Sequence, residues 1–410
     1  MKEKIVITGM GAVTPVGIGV DAFWNNLTDG YCGVDRISSF DASELAVQIA
    51  AEVRDFRPEE FLPSKLIRET DAFTQYAFVA AKEALSEAGF TKEELAASPQ
   101  RCGIVMGTAM SGIDTIAATQ EILTNAVHKN VGPRFVPRIL SNIAAAQVAI
   151  EYGMTGPSYT ISTACASGGD AICMSAMLLL SDEADMVLAL GADSTLCPLV
   201  IYSLANAQAL SRENDNPQYA IRPFDQSAKG FAMGEGGGAL VLETESHAKA
   251  RGAHIYAELA GWANNNDAFH VTRPLDEGKK SAECMRRAME RAELKSKEID
   301  YINAHGTGAP KGDLAEAQSM QSVFGDTGPA ISSTKAATGH MMGGGGITEA
   351  ITCIKTIETG ILPPTLNLTN PICNLDFVTE TRTGVTVNAA MSNAFGFGGQ
   401  NSTIIFKRYE

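Results

Sequence analysis

Residues 158–180 read SYTISTACASGGDAICMSAMLLL, and this stretch decides the fold class. A run rich in β-branched residues ends just before Cys165, and a run of small and aliphatic residues typical of a helix follows. The pattern predicts a strand that turns directly into a helix, with the cysteine at the turn. The first N–H groups of a helix are unpaired and carry partial positive charge, so we expect the pKa of Cys165 to be lowered.

Two interpretations of Cys165 remain open on the residues alone. It is a nucleophile, because the small neighbours Ala164, Gly168 and Gly169 leave room for a substrate. Alternatively, it is one more buried small residue, as most cysteines are. The other seven cysteines lack such a setting, and we interpret them as structural: Cys32, Cys102, Cys173, Cys197, Cys284, Cys353 and Cys373.

Strand and helix patterns alternate on both sides of this stretch. KIVITGM, CGIVMGT and DMVLALGA alternate with helical runs such as AFTQYAFVAAKEALSEAG, which predicts an α/β fold. The second half repeats the pattern in DYINAHGTG, PAISSTKAATG and MSNAFGFGGQNSTIIF. A chain of 410 residues also exceeds the length at which one core stops growing. We therefore predict a duplicated architecture, with an N-terminal half at 1–250 and a C-terminal half at 251–410.

The composition excludes some classes of protein. The formal net charge is −15 at pH 7, which argues against binding to nucleic acid or to an anionic membrane surface. No apolar run is long enough to cross a bilayer. Eight cysteines without CxxC pairs favour a reducing compartment, so we expect the protein in the cytoplasm.

Two of the six histidines lie in glycine-rich junctions after strand-like runs, His305 in YINAHGTGAP and His340 in SSTKAATGHMMGGGG. Two neutral imidazoles that converge on one carbonyl oxygen can stabilise an enolate without a metal. Neither histidine has a partner at HxxxH or HxH spacing, so we expect no metal site. Lys335 and Glu349 flank His340 and form either a buried ion pair that orients this loop or two solvated charges.

The glycine-rich segments do not match nucleotide-binding fingerprints. GMGAVTPVG lacks the third glycine of a dinucleotide motif, and GTGAPKGD reverses the order of a phosphate loop. The segment GFGGQN, residues 396–401, is better explained as backbone that passes close to a substrate and offers N–H groups to an oxyanion. A tight hairpin turn is the alternative.

Four motifs in order carry a resemblance to a known family: TACASGG around Cys165, AHGTG around His305, STKAATGH around His340, and SNAFGFGGQN near the end. They closely resemble the β-ketoacyl-acyl carrier protein synthases, and synthase II in particular. The resemblance covers nearly the whole chain, including RPFDQSAKGFAMGEGGGALVLE and LPPTLNL. It implies the thiolase fold, with two βαβαβαβαββ halves in five αβαβα layers, and a homodimer. It also implies no bound cofactor, because the pantetheine arm arrives on the acyl carrier protein.

The resemblance also implies a reaction. Cys165 would accept an acyl chain from acyl carrier protein as a thioester. Malonyl-carrier protein would lose carbon dioxide, and its carbanion would attack that thioester to give a β-ketoacyl chain two carbons longer. His305 and His340 would assist decarboxylation, and the N–H groups of Cys165 and Phe397 would form the oxyanion hole. Lys335 and Glu349 would hold the histidine loop.

Further positions match the family's substrate-binding residues. Phe397 would gate the acyl pocket, with Gly398 and Gln400 beside it. Met110, in GTAMSG, aligns with a residue that lines this pocket near the dimer interface, and Thr307 would bind the pantetheine arm.

Three positions depart from the family pattern. Ala309 stands in place of a second threonine in HGTxT, Gln400 stands in place of threonine in GFGGTN, and Gln208 occupies a position where a carrier-contacting arginine is often found. These changes leave the expected chemistry intact and bear on the choice of carrier protein and acyl substrate.

Carrier proteins in this family are acidic, so docking on this acidic chain requires a local basic patch. Lys65 and Arg68 stand three residues apart on a predicted helix and share a face. A solvated face is the alternative. The candidate docking residues are Lys65, Arg68, Lys129, Arg134 and Arg138.

Two other functions remain open. One is a ketosynthase subunit of a type II polyketide or other specialised pathway, which would use the same residues on a different carrier. The other is a catalytically silent partner subunit that sets chain length. Such partners lack the nucleophile, so Cys165 disfavours this second function.

Overall fold

The computed structural model describes residues 3–125 and 131–410. The strands are β1 (Ile5–Thr14), β2 (Gly17–Ile18), β3 (Val34–Arg36), β4 (Ile49–Ala51), β5 (Cys102–Gly107), β6 (Ser158–Ile161), β7 (Met186–Asp193), β8 (Gly236–Thr244), β9 (Ala257–Asn266), β10 (Tyr301–Asn303), β11 (Ala330–Ser332), β12 (Ala389–Gly396) and β13 (Gln400–Lys407).

The helices are α1 (Val20–Thr28), α2 (Pro58–Phe61), α3 (Ser64–Glu69), α4 (Ala72–Glu87), α5 (Lys92–Ala97), α6 (Ile113–Thr124), α7 (Phe135–Ile139), α8 (Ile143–Tyr152), α9 (Ser167–Leu180), α10 (Pro198–Asn206), α11 (Glu245–Ala250), α12 (Lys279–Ala292), α13 (Pro310–Phe324), α14 (Lys335–Thr338) and α15 (Gly345–Thr359). In the described residues, no helix combines the length and the apolar character needed to cross a membrane.

The main sheet repeats one strand order on each side of its centre. The order is β11-β10-β12-β13-β9-β1-β8-β7-β5-β6. From β1 outward and from β9 outward, two antiparallel pairings are followed by two parallel ones. The two half-sheets join where β1 and β9 pair antiparallel, at Val6 with Glu258 and Ile7 with Ala257. This repeat supports an internal duplication, and the boundary at residue 250 stays a prediction.

Helices α9 and α15 form the layer between the two half-sheets. Each of them contacts strands of both halves, and they contact each other. Their close approach depends on glycine, because a Cβ at Gly346 of α15 would lie 2.6 Å from the backbone nitrogen of Gly169 on α9. Buried Ile172, Ile347 and Ile351 fill the remaining space with close-packed aliphatic groups.

Two further helical layers cover the outer faces. Helices α4 and α8 pack on the N-terminal half-sheet, and α12 and α13 cover the C-terminal one. Helix α4 lies against β1 because Gly11 has no side chain to meet the backbone of Ala80. The resulting αβαβα order confirms the predicted thiolase fold.

Candidate active site

Cys165 lies at the turn between β6 and α9, as its sequence context predicts. A single 3-10 turn spans Ala164–Ala166, and α9 begins at Ser167. Ala164 has φ 52°, a left-handed conformation that is costly for a residue with a side chain. The sharp turn leaves the Cys165 side chain 6% exposed. A strained residue at this point indicates that the surrounding structure holds the sulfur in a defined place.

The structure brings His305 and His340 to this sulfur. Nε2 of His340 lies 2.9 Å from Sγ of Cys165. The two imidazole rings are nearly perpendicular, with centroids 5.4 Å apart. One donor atom from each of the three residues lies within 4.8 Å of the other two. His305 follows β10 and His340 follows α14, so both come from the C-terminal half of the sheet while the sulfur comes from the other half.

The electrostatics of the site differ from the expectation. Burial raises the pKa of Cys165 to about 11, although the Phe397 N–H and the Lys335 charge oppose the increase. The prediction of a lowered pKa is therefore wrong, because the cost of desolvating a thiolate exceeds the help from the helix N-terminus. Burial, together with Lys335, lowers the pKa of His340 to about 3. Burial also holds the pKa of His305 well below its usual value, with contributions from Lys335 and His340. At neutral pH the resting site contains a thiol and two neutral imidazoles.

Lys335 and Glu349 form a buried ion pair. Nζ of Lys335 donates to Oε1 of Glu349, and the two residues are 2% and 4% exposed. The alternative of two solvated charges is therefore wrong. Burial raises the pKa of Glu349, and the adjacent ammonium opposes that shift. The pair joins α14, which leads directly to His340, to the second turn of α15.

The GFGG segment is both a hairpin turn and part of the site. It joins antiparallel β12 and β13, and Gly398 and Gly399 have φ 84° and 73°. A Cβ at Gly396 would lie 2.7 Å from the carbonyl oxygen of Thr163 and 3.1 Å from the nitrogen of Cys165, so the loop passes directly over the cysteine turn. The N–H of Phe397 points at the sulfur, and its ring is exposed. Gln400, at the start of β13, is half-buried.

Met110 packs on the apolar cluster that contains Cys165. It is half-buried and lies in the turn between β5 and α6. This cluster also contains the buried residues Leu196, Val200, Ile201, Leu210, Phe231 and Met342.

Thr307 lies next to one of the positions that depart from the family pattern, Ala309, and far along the chain from Gln208. The Thr307 hydroxyl accepts a hydrogen bond from the N–H of Ala309 at 3.2 Å, just before α13. Gln208 is exposed and lies just after α10, with φ 58°. Because Ala309 stands in place of the family's second threonine, one hydroxyl is absent next to Thr307.

Two buried carboxylates on α13, Asp313 and Glu316, were not predicted from the sequence. Glu316 accepts hydrogen bonds from the N–H groups of His305 at 2.8 Å and Gly306 at 2.7 Å. Asp313 accepts from the N–H of Thr307 at 3.0 Å. Burial raises the pKa of Asp313 to about 6 and that of Glu316 to about 7. The sequence does contain a pattern that could have indicated them. Asp313 and Glu316 stand three residues apart in DLAEAQSM, which places two acids on one face of a helix that follows AHGTG.

The candidate docking residues fall into three groups. Lys65 and Arg68 are exposed on α3, and exposed Arg134 reaches the end of that helix, where its guanidinium lies 3.1 Å from the carboxylate of Glu69. Arg138 is half-buried with its Nε shielded from solvent, so it is a weaker surface charge than predicted. Lys129 lies outside the described residues.

Comparisons with solved structures agree with this geometry. The chain superposes on a beta-ketoacyl synthase from Burkholderia phymatum with a TM-score of 0.93 and 34% identity, over 100% of both chains. It matches the ishigamide ketosynthase/chain length factor with a TM-score of 0.93 and 31% identity, again over 100% of both chains. A type II PKS acyl-carrier protein in complex with its ketosynthase contains a chain matched at a TM-score of 0.87 and 31% identity, with 100% of both chains covered.

Sequence comparisons identify the family. The chain is 40% identical over 411 residues to the 3-oxoacyl-acyl-carrier-protein synthase 2 of Coxiella burnetii, with 99% of each chain covered. It is 38% identical over 412 residues to the protein of the same name from Vibrio harveyi, with the same coverage. Residues 2–248 match the family described as Beta-ketoacyl synthase, N-terminal domain, and residues 256–369 match Beta-ketoacyl synthase, C-terminal domain. The chain belongs to the beta-ketoacyl synthase family.

Proposed function

We propose that the protein elongates an acyl chain held on Cys165 by decarboxylative condensation with malonyl-acyl carrier protein, in fatty acid synthesis. The observation that carries this proposal is the 2.9 Å contact between Sγ of Cys165 and Nε2 of His340. The second imidazole and the N–H of Phe397 lie at the same sulfur. The names of the relatives, which are 3-oxoacyl-acyl-carrier-protein synthases, support the same reaction.

In the first step the Cys165 sulfur attacks the thioester carbonyl of an acyl chain on its carrier. Because burial disfavours a free thiolate, the thiol proton moves to His340 as the new C–S bond forms. The carbonyl oxygen becomes an oxyanion that accepts hydrogen bonds from the N–H groups of Cys165 and Phe397. The pantetheine thiol leaves with the proton from His340, which restores the neutral imidazole.

In the second step the malonyl thioester places its carbonyl oxygen at the two imidazoles. The lowered pKa values keep His305 and His340 neutral. His305 can therefore donate an N–H to the enolate oxygen that forms when carbon dioxide leaves, and His340 can do so in the tautomer that carries its hydrogen on Nε2. The electron pair of the broken C–C bond then attacks the Cys165 thioester. The C–S bond breaks, the departing Cys165 thiolate takes up one proton from solvent, and the product stays on the carrier.

We propose that this chemistry needs neither a metal nor a bound cofactor, and that the pantetheine arm enters on the carrier. The three residues form a donor set that a metal could use. Two ligands of one tetrahedral zinc, a sulfur and a nitrogen, would lie about 3.5 Å apart. Sγ and Nε2 lie 2.9 Å apart, which is closer than two ligands of one zinc and within hydrogen-bonding distance.

We propose that the partner is an acidic acyl carrier protein that docks on Lys65, Arg68 and Arg134. Lys65 and Arg68 are exposed cations on α3 of a chain with a net charge of −15, and Arg134 adds a third at the end of this helix, next to Glu69. A matched structure contains an acyl-carrier protein in complex with its ketosynthase, which supports this class of partner. Steering by such a patch weakens with added salt.

We further propose a homodimer that forms through the free edge of β6. Strand β6 ends the sheet, and an unpaired edge is a template for pairing with a second chain. Exposed apolar side chains accompany this edge, Tyr159 on the strand and Ile150, 74% exposed, on the adjacent α8. We also place the protein in the cytoplasm, since all eight of its cysteines are free thiols.

The test is intact-protein mass spectrometry after incubation with acyl-carrier protein. We expect one acyl adduct on wild type, none on Cys165→Ala, and an unchanged adduct on the control Cys373→Ala. Cys373 is a half-buried cysteine that packs on a different apolar cluster from Cys165. An adduct on another residue, or none with any acyl chain, would contradict the proposal. A metal analysis of the same protein that found one zinc per chain would contradict the metal-free mechanism.

The second candidate is a type II polyketide ketosynthase. It is favoured by the matched ketosynthase structures and by the departures at Ala309, Gln400 and Gln208. Parallel acylation reactions with a fatty acid carrier and a polyketide carrier separate the two functions. Faster transfer from the polyketide carrier would favour the second candidate.

A further inference from the structure

Asp193 is a fully buried carboxylate at the end of β7 that has no part in the reaction described above. It accepts five hydrogen bonds. Oδ1 accepts from the Thr108 hydroxyl at 2.8 Å and from the N–H groups of Met110 at 3.0 Å and Ser111 at 3.2 Å. Oδ2 accepts from the N–H groups of Ala109 at 2.8 Å and Gly343 at 2.7 Å. All five partners are donors, so the carboxylate fits this place as an anion.

The five donors belong to two segments from different halves of the chain. Residues 108–111 form the turn that contains Met110, and this turn packs on the apolar cluster next to Cys165. Gly343 lies three residues after His340, in the turn that leads into α15. One side chain therefore links the wall of the proposed acyl pocket to the segment that carries a proposed catalytic histidine.

Both segments contain a residue in a left-handed conformation. Ser111 has φ 51° and Met342 has φ 50°, and neither is glycine. Such residues persist only where the surroundings hold them in place. In each case Asp193 provides that support, because it binds the N–H of Ser111 itself and the N–H that follows Met342.

The fit around the carboxylate is tight. A Cβ at Gly343 would lie 2.7 Å from Oδ2 of Asp193, and the Gly343 carbonyl oxygen packs on Gly168 and Gly191. No free space next to Asp193 can accommodate a movement of the turn at residues 108–111. If this turn moves, the segment that contains His340 therefore moves with it.

We propose that Asp193 is a positioning residue that holds the acyl-pocket turn and the His340 segment in one arrangement, and thereby sets both acyl-chain preference and malonyl decarboxylation. The inference rests on the proposed function. It adds a group that touches neither the substrate nor the reacting atoms and acts through Met110 on one side and His340 on the other.

Asp193→Asn removes part of this hydrogen-bond network without changing the size of the side chain. An amide has one accepting oxygen, so it can serve the donors of Oδ1 or those of Oδ2, and its NH₂ group faces the remaining N–H groups. With the oxygen at Oδ1, Ala109 and Gly343 lose their acceptor. With the oxygen at Oδ2, Met110 and Ser111 lose theirs.

The matched control is Asp225→Asn. Asp225 is also buried, and its two oxygens also divide a set of donors, with Ser227 on one and Thr369 and Asn370 on the other. This carboxylate links loops that include none of the residues of the proposed reaction. Asp225→Asn should therefore lower the stability of the protein as Asp193→Asn does, but it should leave acyl-chain preference and decarboxylation unchanged.

The first experiment compares acylation rates of wild type, Asp193→Asn and Asp225→Asn with a short and a long acyl chain on the same carrier protein. We expect Asp193→Asn to lower the ratio of long-chain to short-chain rates by about tenfold or more. The control should keep the wild-type ratio, even if its thermal midpoint falls equally.

The second experiment measures release of carbon dioxide from malonyl-carrier protein in a Cys165→Gln background, in which acylation is absent. Adding Asp193→Asn should lower this rate by about tenfold or more, whereas adding Asp225→Asn should change it less than about twofold. If Asp193→Asn does not fold, Thr108→Val removes a donor from Oδ1 alone. It should lower the chain-length ratio and lower decarboxylation to a smaller extent, because the hydrogen bond from Gly343 to Oδ2 is kept.

The outcomes separate the two proposals. No acyl adduct on wild type contradicts the proposed function. Normal acylation of wild type, together with an unchanged chain-length ratio and unchanged decarboxylation in Asp193→Asn, overturns the role of Asp193. Equal effects of Asp193→Asn and Asp225→Asn on both measurements overturn it as well, as does a Thr108→Val variant with the wild-type ratio.

Discussion

Lys335→Met should destabilise the protein by an amount that the burial of its partner determines. The ammonium of Lys335 is the hydrogen-bonded counter-charge of Glu349, and both side chains are nearly inaccessible to solvent. Removing it leaves an unpaired carboxylate in the interior, for which we expect a loss of about 3–5 kcal/mol in the free energy of unfolding. Burial already raises the pKa of Glu349, so part of this cost is relieved at low pH by protonation.

A double substitution and a control on the same helix test this reasoning. Lys335→Met with Glu349→Leu removes both charges, and we expect it to recover most of the loss because a matched apolar pair needs no desolvation of ions. Lys355 and Glu358 form a second ion pair on α15, with Nζ and Oε2 2.7 Å apart and side chains 12% and 39% exposed. Lys355→Met should cost less than about 1 kcal/mol, because solvent screens this pair.

The assay is equilibrium unfolding in guanidinium chloride, followed by circular dichroism and by tryptophan fluorescence at one protein concentration. A loss below about 1 kcal/mol for Lys335→Met would refute the argument from burial. A double variant no more stable than the single variant would refute it too, because the unpaired charge would then not be the cause. Equal losses for Lys335→Met and Lys355→Met would show that exposure does not set the cost.

Three other predictions concern the site. His305→Ala and His340→Ala should each lower malonyl decarboxylation by about a hundredfold or more while acylation, followed by mass spectrometry, falls less; equal losses in both steps would contradict the assignment. Cys165→Gln should abolish condensation and retain release of carbon dioxide, because the amide resembles the acylated side chain; a variant that releases none would count against that resemblance. Glu316→Gln should change the pH dependence of stability. Folding raises the pKa of Glu316 from 4.5 to about 7. As pH rises across this interval, the wild type therefore loses about 3 kcal/mol of stability relative to the variant. Above and below the interval, the difference in stability between the two proteins is constant. Denaturant unfolding of both proteins at a series of pH values measures this, and parallel curves would contradict the raised pKa.

Much of the fold was accessible from the sequence because its signals are local. The change from β-branched to small residues at Cys165 predicted the turn from β6 to α9, and the structure has that turn. Alternating strand and helix patterns in both halves predicted the duplicated layers. The motifs around His305 and His340 predicted that these histidines belong to the site. They did not predict how far either ring lies from the sulfur of Cys165.

Several features of the site could not be predicted from the sequence, because they depend on which side chains are buried. The buried pair of Lys335 and Glu349 could not be separated from two surface charges, since the spacing along the chain is the same in both cases. Glu316 and Asp193 look like ordinary acids in sequence, and their hydrogen bonds to backbone N–H groups exist only where distant segments meet. Arg138 was expected at the surface, but its Nε lies shielded from solvent.

The amino-acid sequence by itself determined the order of the layers, the family and which residues are proposed as reactive groups. Only the tertiary structure decided that a histidine from the second half lies 2.9 Å from Cys165, and that the thiol rests protonated with its pKa raised to about 11. The physical reason is that a helix N-terminus is visible in the order of residues, whereas desolvation is the sum of everything that excludes water from an atom. That sum is fixed by segments hundreds of residues apart, and here it outweighs the local effect.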